Sequence, residues 1–148
     1  MTLKFAEEIL NWQYEAPYDF YNNDVNADSL KDLLQNPYVP IVDENEELVG
    51  FYCIGKSAQV PIGVTMGAYS ADLIDIGIGM NPELTGKGYG SMFFSFILRL
   101  VQKECNLPIR LTVAKFNRRA IHLYEKFGFV KEMEFSQETT KFITMVKS

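Results

Sequence analysis

Met80-Asn81-Pro82-Glu83-Leu84-Thr85-Gly86-Lys87-Gly88-Tyr89-Gly90-Ser91 runs from an apolar strand pattern through three alternating glycines into a long apolar helical pattern. Glycine at every second position strips the side chains from one short turn. Backbone N–H groups there can approach a ligand closely, and the helix that follows adds its positive N-terminal end. The stretch therefore predicts an anion site shaped for a pyrophosphate. Two other phosphate loops do not fit it. A Walker A loop needs Lys after its last glycine, whereas Tyr89 follows Gly88, and G-x-G-x-x-G fails because Gly90 comes one residue early.

The succession of strand, Pro-Glu, G-x-G-x-G and helix resembles motif A of the GNAT superfamily of acyl-CoA-dependent N-acyltransferases, Q/R-x-x-G-x-G/A. Thr85, Gly86, Lys87, Gly88, Tyr89 and Gly90 fill its six positions. Thr85 departs from the pattern, being neither Gln nor Arg, which bears on a side-chain contact to phosphate and leaves backbone contacts untouched. Downstream, Asn117-Arg118-Arg119-Ala120-Ile121-His122-Leu123-Tyr124-Glu125-Lys126-Phe127-Gly128-Phe129 resembles the superfamily's N-x-x-A-x-x-L-Y-x-x-x-G-F segment. Two independent motifs stand in the superfamily's order. The likeness is detailed over roughly residues 71 to 146 and only an outline before them.

What the resemblance implies is an α/β fold with a central mixed, mostly antiparallel sheet flanked by helices. It also implies acetyl-CoA as cosubstrate, with cofactor contacts from Ile78, Gly79 and Met80, the loop Thr85 to Ser91, Asn117 and Ala120. Tyr124 takes the place of the acid that protonates the departing CoA thiolate, and Asn117 that of the residue orienting the pantetheine arm. The superfamily normally begins with a strand, whereas Leu3, Ala6, Ile9, Leu10 and Tyr14 fall at helical spacing with Thr2 as N-cap. The first strand is therefore expected to be missing or shortened.

Composition fits a small enzyme. The 148 residues, 47% hydrophobic, suffice for one domain with a full core over 1–148. No repeat, linker or low-complexity run divides them. Neither a secretory leader nor an apolar run of about 18 residues is visible, so no membrane segment is expected and the cytoplasm is the default. Cys53 and Cys105 are too few for a disulfide framework, and without a second His beside His122 no metal constellation exists. A net charge of −5 argues against nucleic acid and suits a cationic acceptor such as an amine.

Along the chain, a second helix is expected from Ala27 to Gln35 with Asn26 as cap. Strands at Tyr38 to Val42 and Glu47 to Ile54 are joined by the acidic turn Asp43-Glu44-Asn45-Glu46. A loop from Gly55 to Ala68 is expected to flank the cleft. Next come a strand from Ala71 to Met80 and a helix from Tyr89 to Glu104, with Phe93, Phe96, Ile97, Leu100 and Val101 as its buried stripe. A strand from Ile109 to Ala114, a helix from Arg118 to Phe127, and strands near Phe129 to Phe135 and Lys141 to Val146 complete the set. Between the first two helices lies Trp12 to Tyr21, dense in aromatics and acids, whose ring faces and carboxylates could hold a cation, although aromatic segments of this kind more often simply pack.

The expected chemistry is direct attack of a neutral amine on a thioester in a ternary complex. A primary amine of pKa about 10.4 lies more than three units from that state at pH 7, a cost of about 4 to 5 kcal/mol, so a proton acceptor matters. In the strand ending at Met80, Ile74, Ile76, Ile78 and Met80 share one face, and Asp75, Gly77 and Gly79 the other. Interior glycines usually mark the approach of another chain or a ligand, so Asp75 is the candidate base. Tyr124 also belongs to the stripe Ala120, Leu123, Tyr124, Phe127, which on its own reads as core packing. The acceptor stays open between a small-molecule and a peptide amine, and a homodimer is open too. A catalytically idle CoA-binding sensor module is the competing reading.

Overall fold

The computed structural model describes residues 1–148. Helices α1 (Leu3–Leu10), α2 (Ala27–Gln35), α3 (Pro61–Thr65), α4 (Gly90–Glu104) and α5 (Arg118–Lys126) alternate with strands β1 (Tyr38–Val42), β2 (Leu48–Ile54), β3 (Ile74–Met80), β4 (Ile109–Ala114), β5 (Val130–Gln137) and β6 (Thr140–Lys147). The six strands form one mixed, mostly antiparallel sheet in the order β1-β2-β3-β4-β6-β5, with β3 and β4 parallel. A parallel neighbour requires a crossover, and α4 supplies it. No helix is long and apolar enough to cross a membrane. The chain forms two compact units, Met1–Cys53 with Ile78–Tyr89, and Ile54–Gly77 with Gly90–Ser148.

In the first unit both helices start where the sequence expects. Thr2 accepts a hydrogen bond from the Phe5 N–H at 3.2 Å, and Asn26 one from the Ser29 N–H at 2.9 Å, each satisfying an orphan donor of the first turn. Ala6, Ile9, Leu10 and Trp12 form a core with Leu33 and Leu48, whereas Leu3 is exposed. α1 ends at Leu10, so Tyr14 lies outside it and is not part of its buried stripe. Asp43 closes the acidic turn between β1 and β2, its Oδ1 accepting from the N–H groups of Asn45 and Glu47. This Asx-type arrangement holds the turn without a glycine.

In the second unit the segment expected as a loop, Gly55 to Ala68, carries a short 3₁₀ turn and α3, with Pro61 at the helix start where its missing N–H costs nothing. Gly63 lies under the rings of Tyr69 and Phe135, each with an atom 2.8 Å from where a Cβ would stand. α4 buries Phe93, Phe94, Ile97, Leu98 and Val101. Phe96, expected inside, is exposed, and Phe94 takes the interior place instead. The Phe94 ring is the hub of an aromatic cluster, with centroids 4.9 Å from Tyr124, 5.2 Å from Phe127 and 5.7 Å from Phe129. Gly128, at φ 92°, ends α5 in the left-handed conformation that glycine tolerates, and the Phe129 N–H turns back onto the Tyr124 carbonyl at 3.1 Å. That reversal delivers Phe129 to the cluster.

Candidate active site

The glycine loop divides into a knotted half and an open half. In the knotted half, the Asn81 N–H donates to the Val49 carbonyl at 2.9 Å and its side-chain Nδ2 to the Leu48 carbonyl at 3.1 Å. Asn81 Oδ1 accepts from the Glu83 N–H at 3.0 Å, and its carbonyl from the Leu84 N–H at 2.9 Å. Thr85 closes the knot by donating its hydroxyl to the Pro82 carbonyl at 2.9 Å. Its side chain is thus spent on holding the loop, which gives a physical sense to the departure from Gln or Arg at this position.

The open half is Gly86, Lys87, Gly88 and Tyr89, all exposed. Gly86 and Gly88 have φ of 72° and 85°, the region that side chains disfavour, and nothing lies within 4 Å of where a Cβ on Gly88 would stand. Gly90 differs: it opens α4, and a Cβ there would meet Leu123 at an ordinary 3.6 Å. Ser91 follows in the first turn of α4, which carries no acidic side chain to oppose an anion.

Ile78, Gly79 and Met80 end β3. Interior glycine at position 79 leaves room for a close neighbour, and the ring of Phe51 fills the place where a Cβ would sit. Phe51 in turn stacks on Trp12 at 6.1 Å. The Met80 carbonyl accepts a hydrogen bond from the Tyr14 hydroxyl at 2.6 Å, and burial pushes the Tyr14 phenol up to about 12. Nothing in the spacing of Trp12 to Tyr21 signals this bond, because it joins positions 66 residues apart.

Asp75 does not stand on an open face. It is buried beside Arg110, its partner in the parallel ladder, which donates through Nε to Oδ1 at 2.6 Å and through Nη2 to Oδ2 at 2.8 Å. Gln59 Nε2 adds a bond to Oδ2 at 2.9 Å. The Arg110 guanidinium lies 5.2 Å from the centroid of the Tyr69 ring, whose hydroxyl is 2.7 Å from Thr112 Oγ1. Both carboxylate oxygens are thus engaged by donors within the protein, one by Arg110 and the other by Arg110 and Gln59. Strand parity points Asp75 to the side of Gly77 and Gly79, but it could not show that Arg110 and Gln59 occupy both of its oxygens.

On α5, Asn117 is the N-cap, its Oδ1 accepting from the Ala120 N–H at 3.1 Å, and Ala120 is half-buried. Tyr124 is buried, its ring 4.9 Å from Phe94 and 6.2 Å from Phe129. Of the expected stripe only Tyr124 is fully inside, with Leu123 and Phe127 half-buried, while His122 is exposed.

The acetyltransferase (GNAT) family matches residues 3–129, most of the chain. The chain belongs to that family. Its fold is shared with a spermidine N-acetyltransferase SpeG variant from Vibrio cholerae, at 23% identity and a TM-score of 0.67, covering 97% of this chain and 88% of that one. A GNAT-family acetyltransferase from Bacillus anthracis is similar at 19% identity and a TM-score of 0.72, covering 99% and 90%. No curated protein matches the sequence. As a GNAT acetyltransferase the protein is an enzyme of a family that uses acetyl-CoA as cosubstrate.

Proposed function

We propose that residues 1–148 act as one domain that transfers an acetyl group from acetyl-CoA to the primary amine of a small molecule or peptide. The observation that carries the reading is the loop Gly86 to Tyr89, with two left-handed glycines exposed directly before α4, in a chain of this family. In this reading the backbone of Gly86, Lys87, Gly88, Tyr89, Gly90 and Ser91 holds the pyrophosphate. Ile78, Gly79 and Met80 line the pantetheine, with Asn117 and Ala120 at the start of α5.

When bound, the cosubstrate supplies an acetyl group activated as a thioester. The amine attacks the carbonyl carbon, a C–N bond forms, and the C–S bond breaks as the electron pair leaves with sulfur. Tyr124 gives its hydroxyl proton to that thiolate. The proton lost by the amine goes to water rather than to Asp75, whose oxygens are engaged by Arg110 and Gln59.

An amine acceptor is supported by where the acids lie. Of the nineteen Asp and Glu residues eleven fall within residues 1–50, which hold only two of the fourteen Lys and Arg. Nearly all eleven are exposed, so this region presents a negative field that draws cations. The similar structure from Vibrio cholerae is a spermidine N-acetyltransferase, which agrees with a cationic amine. The test is release of free thiol from acetyl-CoA against a panel of mono- and polyamines and peptide N-termini. Amine-dependent release is expected. CoA binding without turnover on any amine would instead favour an idle sensor.

A further inference from the structure

We propose that Tyr14 is a positioning residue for the cofactor loop, its hydroxyl fixing the Met80–Asn81 peptide from which residues 81–89 depart. The proposal rests on the reading of that loop as the CoA cradle. A peptide unit is planar, so it is immobilised when both of its polar groups are held from outside. Here the Tyr14 hydroxyl donates to the Met80 carbonyl at 2.6 Å, while the Asn81 N–H donates in the opposite sense to the Val49 carbonyl at 2.9 Å. The two partners belong to different segments, one preceding α2 and the other in β2. Together they set the plane of the peptide at the point where strand becomes loop.

The orientation carries forward through Asn81. Its carbonyl and its Oδ1 accept the N–H groups of Leu84 and Glu83, so a rotated Met80–Asn81 peptide would pull on both bonds and on the Pro82 to Thr85 turn behind them. It is also held from behind. The Tyr14 N–H donates to Asn22 Oδ1 at 2.7 Å, and Asn22 Nδ2 to Gln13 Oε1 at 3.1 Å, closing the base of the segment between α1 and α2. Two residues earlier Trp12 stacks on Phe51, the ring that covers Gly79. The end of β3 is thus gripped at successive residues, Gly79 by packing and Met80 by the Tyr14 hydroxyl. A phenol is protonated, and therefore able to donate, at neutral pH, and burial pushes its pKa further up.

Tyr14→Phe retains the ring and deletes the donor. Two readouts are needed: amide hydrogen exchange of peptides spanning 80–90 without cofactor, and CoA affinity by calorimetry together with KM and kcat. The expected result is faster exchange over 80–90 and a rise in CoA Kd and acetyl-CoA KM of about 3- to 10-fold, the scale of one neutral hydrogen bond, with kcat within about twofold. Unchanged exchange, or unchanged CoA affinity, overturns the assignment, as does a loss confined to kcat. Should wild-type protein bind no CoA, the cradle reading falls and this one with it. An unaffected variant of a CoA-binding wild type removes only the role of Tyr14. If Tyr14→Phe does not fold, Asn22→Ala, which frees the base of the same segment, is read by the same two measurements with the same expected direction.

Discussion

Arg110 grips Asp75 in a forked ion pair between neighbouring positions of the parallel strands β3 and β4, and both residues are buried. The remaining guanidinium nitrogen, Nη1, has no hydrogen-bond partner, so Asp75 is the main counter-charge of a cation cut off from water. The hydrogen bond to Asp75, more than any other influence, raises the pKa of Arg110 above its ordinary value. A raised basic group contributes stability that is present below its unfolded pKa and lost only as pH climbs through the folded one. For Arg110 that window lies above the usual arginine range, so the pair adds no pH dependence near neutrality from this side.

Asp75→Asn should therefore act on stability first. Leaving a buried cation unpaired costs about 3–5 kcal/mol, which a denaturant titration measures directly. The pH profile of turnover per folded molecule is expected to keep the wild-type shape. A loss concentrated near neutral pH and shrinking toward the pKa of the amine would restore Asp75 as the base.

Tyr124→Phe separates packing from chemistry, because the ring contacts to Phe94 and Phe129 remain. Loss of a general acid lowers turnover on the scale of 10²-fold. The acetyl-CoA KM should stay near wild type, and stability should change by no more than about 1.5 kcal/mol. Wild-type turnover would return Tyr124 to the aromatic cluster alone.

Local signals carried the fold a long way. α2, β1 and β4 lie where caps and alternation put them, because the Asn26 cap and the period of two act within a few residues. The glycine loop was legible for the same reason, since left-handed backbone is a property of Gly86 and Gly88 themselves. What escaped depends on tertiary neighbours. Strand parity could not reveal that Phe51 covers Gly79, that Arg110 claims Asp75, or that Tyr14 reaches Met80. On α4, helical spacing put Phe96 in the buried stripe, whereas Phe94 takes the interior place because it packs against the Tyr124 ring of α5.

Gly88 and Gly90 should respond differently to substitution. At Gly88 a Cβ meets no protein atom, so Gly88→Val leaves the core intact and alters only the loop surface and its left-handed backbone. The acetyl-CoA KM is expected to rise at least about tenfold, equivalent to about 1.4 kcal/mol, comparable to the left-handed penalty of one residue before any clash with ligand is added. Gly90→Ala sits in a helix with ordinary contact to Leu123, and its melting temperature should hold or rise. Steady-state kinetics on acetyl-CoA, beside a thermal melt of each variant, checks both. An unchanged KM in folded Gly88→Val would remove the loop as the cradle.

Alkaline unfolding tests the Tyr14 environment independently of any cofactor. Burial raises its phenol from 10.0 to about 12, so between those values the unfolded chain has released the proton while the folded chain still holds it. Stability associated with this group is complete below pH 10 and falls as pH rises toward 12, by about 2–3 kcal/mol over two units. Tyr14→Phe has no proton to lose there. Near neutral pH it should be less stable than wild type by about 1 kcal/mol for the missing bond to Met80. That gap should close and then reverse as the wild type alone pays the titration cost. Urea titrations of both proteins at several pH values between 9 and 12 read the crossing. Curves that stay parallel through pH 12 would mean that the phenol titrates as it does in the unfolded chain, and that its hydroxyl is not held against the Met80 carbonyl in solution.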